Sequence, residues 1–124
     1  MRGVITGLKV KDLFRVKKIR KLDFSPNLYF GEGVASNDFE KLRKKLLTTP
    51  LLTNVFLLTL PENDSDQIDL ISSRLLVQGY FGEHPIKIVG IAGDREDAVS
   101  LVLKITEDCV ALRKDCMLKE FLKW

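Results

Sequence analysis

Eight acidic residues, Glu32, Asp38, Glu62, Asp64, Asp66, Asp94, Glu96 and Asp97, fall close to turns marked by glycine or proline. If those turns share one edge of a sheet, their carboxylates form a hard-oxygen site for a divalent cation or a docking surface for a basic partner. Magnesium held between Glu32 and Asp94 is the sharpest form of that reading, with Asn37 and Arg95 as neighbouring ligand-binding candidates. A plainer account weighs more: acidic side chains at helix starts complement the macrodipole and cap free N–H groups without any ligand.

The stretch Gly31-Glu32-Gly33-Val34-Ala35-Ser36 echoes a G-x-G-x-x-G phosphate loop, with Ser36 in place of the third glycine. A phosphate cradle needs backbone N–H groups and no competing anions. Here Glu32 sits inside the loop, and Asp94, Glu96 and Asp97 crowd a later strand-to-helix junction. Anionic ligands are expected to be repelled, and no cofactor is expected.

His84, the single histidine, stands in Glu83-His84-Pro85 with no serine or cysteine beside it, and reads as a surface-loop residue. Cys109 and Cys116 are seven apart, a spacing that matches no zinc motif, and both are expected in the core as reduced thiols. Tyr80-Phe81, between Gly79 and Gly82, reads as a loop anchor. No residue set is expected to be catalytic.

The elements that would position these residues follow from periodicity. Leu28 to Val34 reads as a strand weakened by two glycines. Asn37 and Glu40 have capping-box spacing ahead of Phe39, Leu42 and Leu46, and Pro50 stops that helix. Val55 to Leu60 is an apolar run read as a central, parallel strand. A second helix is predicted from Asp64 to Gly79, with Ile68, Ile71 and Leu75 as its inner face. Ile86 to Ala92 is a third strand. The helix after Gly93-Asp94 carries the stripe Ala98, Val102, Ile105, Cys109, Leu112 and Cys116. Leu118 to Trp124 suggests a short terminal helix docked on the body. The predicted fold class is α/β, a small three-layer-type domain of order β-α-β-α-β-α with a short parallel sheet and a terminal helix.

A chain of 124 residues with 45% apolar and 30% charged residues suits one globular domain. Its net charge of +3 is unevenly spread: residues 1–24 hold eight basic and two acidic groups, whereas residues 25–124 hold twelve and fifteen. We therefore read 1–24 as a basic N-terminal extension and 25–124 as the α/β domain. Lys9, Lys11, Phe14, Arg15, Lys17, Lys18 and Arg20 are its candidate partner contacts. Docking of the arm on its own acidic body or on a second copy is favoured, because it would bury the arm's apolar positions. Nucleic acid is a weaker partner, since no aromatic platform or recognition motif accompanies the basic residues. No secretory signal is apparent and Val55 to Leu58 is far too short to span a bilayer, so a cytoplasmic location without a membrane partner is expected.

The leading functional expectation is a non-catalytic interaction or ligand-binding domain that self-associates. A divalent-cation-dependent enzyme or sensor using the acidic edge, and nucleic-acid binding through the basic arm, are the alternatives.

Overall fold

The computed structural model describes residues 22–63, 66–77 and 85–124. Apolar residues on either side of Ser25-Pro26-Asn27 join one strand, β1 (Leu22–Phe30). Its first half pairs Leu22 with Ile86 and Phe24 with Ile88, and its second half resumes with Tyr29 opposite Gly90. The residues between bow out of the ladder. Proline has no N–H to donate, so such a bulge on an outer strand is where it is tolerated. Leu22 to Phe24 are part of the sheet, opposite Ile86 to Ile88.

The sheet also contains β2 (Phe56–Leu60), β3 (Asp69–Ser72) and β4 (Ile86–Ala92), in the order β1-β4-β2-β3. Only β1 and β4 run parallel; β2 is antiparallel to both β4 and β3. The apolar run at Val55–Leu60 is thus central, as its hydrophobicity implies, but it does not belong to a parallel sheet. Val89 is passed over in the pairing with β2, where Leu58 meets Gly90 and Thr59 meets Ile88.

The second helix predicted from Asp64 to Gly79 is replaced by β3 and a 3-10 turn, Ser73–Val77. Ile68, Ile71 and Leu75 satisfy a helical period. Yet Leu70 packs on one side of the sheet and Ile71 on the other, the period of a strand. Pairing with β2 decided between two patterns that a short apolar run permits. The β-α-β-α-β-α order is accordingly not found, and the described chain is a small α/β domain with a mixed four-stranded sheet.

Helix α1 (Phe39–Thr48) is preceded by a 3-10 turn, Ser36–Asp38, and followed by another, Pro50–Leu52. Helix α2 (Arg95–Arg113) ends at Lys114, whose φ of 68° is the left-handed closure common at helix C-termini. Helix α3 (Leu118–Leu122) follows. The sheet separates two apolar clusters. Leu58, Val89 and Ala92 pack with Ala98, Leu101, Ile105 and Cys109 of α2 and Leu118 of α3. Leu57, Ile86, Ile88 and Ile91 pack with Leu46 of α1 and Leu76. Burying each large aliphatic side chain contributes roughly 2 kcal/mol, so the two-sided sheet is the main source of stability.

The inner stripe of α2 differs from expectation at its C-terminal half. Leu101 is buried while Leu112 is exposed, and Cys116 lies beyond the helix end on the surface rather than in the core. The helix stops one turn too early to carry Cys116 inward. Among the described residues, no helix is long and apolar enough to cross a membrane.

Candidate functional site

Parallel pairing of β1 and β4 brings the two glycine-containing turns to the same end of the sheet. Gly31 continues the ladder by donating to the Ile91 carbonyl at 2.8 Å. The next two N–H groups turn away from the sheet toward α2. Glu32 N donates to Asp97 Oδ1 and Gly33 N to Asp97 Oδ2, both at 2.9 Å, and Gly93 N reaches the same Oδ2 at 2.8 Å. The Gly31-Glu32-Gly33 loop is therefore a cradle of backbone N–H groups, and the anion it holds is the chain's own carboxylate.

Asp97 is placed there by its position in α2. Asp94 is the N-cap, extended at φ −154° and ψ −175°, and its Oδ1 accepts from Asp97 N at 2.8 Å. That is half of a capping box. The reciprocal side chain, Asp97, reaches across to the β1 turn instead of only back along its own helix. Burial pushes the Asp97 carboxyl up, but the N–H groups of Gly93, Gly33 and Glu32 outweigh it and hold it below the ordinary aspartate range.

The glycines leave room for this clasp. A Cβ on Gly31 would lie 2.3 Å from Asp97 Oδ2, and one on Gly33 would lie 3.0 Å from it and 3.2 Å from Gly93 Cα. The two turns approach backbone to backbone, so a Cβ on Gly33 or Gly93 would force one of them to give way by a few tenths of an ångström. Gly31→Ala is expected to cost about 2 kcal/mol by displacing the carboxylate. In an Asp97→Ala background the same change should cost clearly less in urea unfolding. Equal costs in both backgrounds would show that the two residues are not coupled.

The acidic edge expected from the sequence divides. Glu32, Asp38, Asp94, Glu96 and Asp97 belong to the turns and helix starts that follow β1 and β4. Glu62 and Asp66 follow β2, which runs the other way and carries them to the opposite end of the sheet. Asp66 there is engaged with Asn63, accepting from its Nδ2 at 3.2 Å. Both Asp97 oxygens and one Asp94 oxygen are already accepting backbone N–H groups. Among the described residues, no group of three or more acidic, histidine or cysteine side chains is placed to hold a metal ion. The Glu32 and Arg95 side chains are exposed.

Asn37 does not cap α1. It is exposed within the 3-10 turn, and the N-cap position falls to Asp38, whose side chain makes no cap hydrogen bond. The extra 3-10 turn shifts the helix start by one residue from the predicted cap. Asp64, Tyr80, Phe81 and His84 lie outside the described residues, as do Lys9, Lys11, Phe14, Arg15, Lys17, Lys18 and Arg20.

Two other contacts escape the linear pattern. Tyr29 OH donates to Asp108 Oδ2 at 2.9 Å and ties β1 to α2. Burial, and then this hydrogen bond, push the phenol up to about 12. Cys109 is buried with its Sγ 3.3 Å from the Asp115 carbonyl. Burial and the neighbouring Asp115 push that thiol up, so it is a poor nucleophile.

Compared with models of protein families, with curated proteins and with solved structures, the chain matches none.

Proposed function

We propose that this chain is a non-catalytic interaction domain that self-associates through the outer face of α2. The observation that carries the reading is a second apolar stripe on that helix. Its inner stripe is buried against the sheet, yet Val99, Leu103 and Val110 are exposed on the other side, Leu103 by 61%. With Thr106 they step by four, three and four, the spacing of a narrow helix–helix seam. Antiparallel pairing of two copies about the midpoint of Leu103 and Thr106 would set Val99 beside Val110 and Glu96 beside Arg113, a self-complementary arrangement.

The sheet edges offer less. The Ser25-Pro26-Asn27 bulge interrupts β1, and β3 is only four residues long, both devices that discourage edge-to-edge pairing. The clasp at Asp97 also supports a non-catalytic reading, because its most organised polar groups are engaged with one another.

Light scattering on the full chain at micromolar concentration tests this. Twice the chain mass is expected for the parent, and a single mass for Leu103→Asp with an unchanged circular dichroism spectrum. A monomeric parent at tens of micromolar would overturn the proposal. A chain beginning at Lys21 keeps β1 whole. If that chain falls to a single mass while Leu103→Asp stays double, the basic arm joins the copies and α2 does not.

A further inference from the structure

We propose a second docking surface, independent of α2, in which the Pro50–Leu52 turn inserts into the headgroup region of an anionic bilayer while basic residues of α1 contact its phosphates. It concerns the surface of a bilayer, not a span across it.

Pro50–Leu52 and Ser73–Val77 are short 3-10 turns packed side by side. Ser73, fully buried, joins them: its Oγ donates to the Thr53 carbonyl at 2.7 Å and accepts from Val55 N at 3.2 Å. The backbone closes the same junction through Ser73 N to the Val55 carbonyl at 2.9 Å. On this braced support Leu51 is 56% exposed and Leu52 79%, with Leu75 and Val77 exposed on the neighbouring turn. A fixed turn presenting leucines outward is costly in water and has no folding role at its tip.

The helix that leads into it is predominantly basic. Helix α1 holds Lys41 in its first turn and Arg43, Lys44 and Lys45 beyond it, and Arg74 lies in the second 3-10 turn. Glu40 is the one acidic residue of α1, and it pairs with Arg43 at 3.1 Å. The helix ends at Thr49 and the 3-10 turn starts on the next residue: Thr49 N donates to the Lys45 carbonyl, and Leu52 N to the Thr49 carbonyl. Lys44 and Lys45 therefore stand in the helix that leads directly into the leucine turn, with Lys41 one turn further back.

This pairing of protruding leucines with a basic helix favours a lipid surface. Headgroup phosphates attract the lysines, and acyl chains receive the leucines without requiring a complementary pocket. A nucleic-acid backbone would use the lysines but give Leu51 and Leu52 nothing apolar to enter. A protein partner would need a cavity shaped to this convex tip.

Co-sedimentation of the full chain with vesicles tests the proposal. Binding to phosphatidylcholine vesicles carrying about 30 mol% phosphatidylserine should be at least about tenfold tighter than to phosphatidylcholine alone. Leu51→Ser with Leu52→Ser, which leaves the charge unchanged, should lower anionic-vesicle binding by about tenfold or more, and so should Lys44→Glu with Lys45→Glu. All four positions are exposed or at the helix surface, so the melting temperature serves as the check that each variant is folded. Two results would overturn the proposal. One is a parent that binds both vesicles alike or neither. The other is a folded leucine variant that binds anionic vesicles as tightly as the parent, which would assign the attraction to charge alone, including that of residues 1–21.

Discussion

Replacing Asp97 by alanine is expected to lower the unfolding free energy by roughly 3 kcal/mol, although the side chain is acidic and lies near the surface. Three backbone N–H groups converge on its oxygens, and hydrogen bonds to a charged acceptor contribute about 1.5–3 kcal/mol each when buried. Water can replace some of these bonds at a half-exposed site, so the sum is well below three full bonds. The loss should appear as a lower urea midpoint. The parent should also show an acid dependence that the variant lacks. The folded-state carboxyl is held below its ordinary range, so its stabilisation is complete above the unfolded-state value and disappears as pH falls through the folded one. The gap between the two proteins should therefore begin to narrow below about pH 4. A constant difference from pH 7 to pH 3 would mean that the carboxylate charge contributes nothing to the clasp.

Ser73→Ala is expected to cost a similar amount, about 3 kcal/mol, from a far smaller change in volume. The hydroxyl is fully buried and serves as donor to Thr53 and acceptor from Val55 at once. Removing it leaves a C=O and an N–H deprived of that partner, each costing about 1–3 kcal/mol when buried. For a domain of this size the melting temperature should fall by about 10 °C. Hydrogen exchange at the Val55 amide should accelerate beyond the global loss, because the two 3-10 turns would part first. A melting temperature within a degree or two of the parent would show that water takes the hydroxyl's place. The same variant should weaken vesicle binding, since Leu51 and Leu52 rely on that junction for their fixed presentation.

These two sites were legible to very different degrees. The Gly31-Glu32-Gly33 loop and the acidic start of α2 are plain in the chain, and carboxylates so placed compete for any N–H cradle nearby. What periodicity could not supply is which carboxylate competes. Asp97 lies 64 and 65 residues from the N–H groups that it accepts. Only parallel pairing of β1 with β4 brings them together. The Ser73 junction left no local signal at all, because nothing in Ser72-Ser73-Arg74 tells which serine is buried or that its partner lies twenty residues away.

The sequence by itself determined the strongly apolar strands β2 and β4, the long α2 after Gly93-Asp94, and the short terminal helix. Local periodicity, capping chemistry and glycine placement are sufficient for such elements. It also established the charge contrast between residues 1–24 and the remainder. Tertiary structure decided what local patterns leave degenerate. Residues 68–72 suit a helix face or a strand, and the open edge of β2 made them β3. Leu112 and Cys116 continue a helical stripe on paper, but the left-handed Lys114 ends the helix before that stripe can stay inside. The acidic residues share a turn chemistry yet not a location, because strand direction, which no single residue encodes, sends Glu62 and Asp66 to the far end of the sheet. Long-range pairing energy selects among locally equivalent conformations, and in this protein it also selects which charged groups meet.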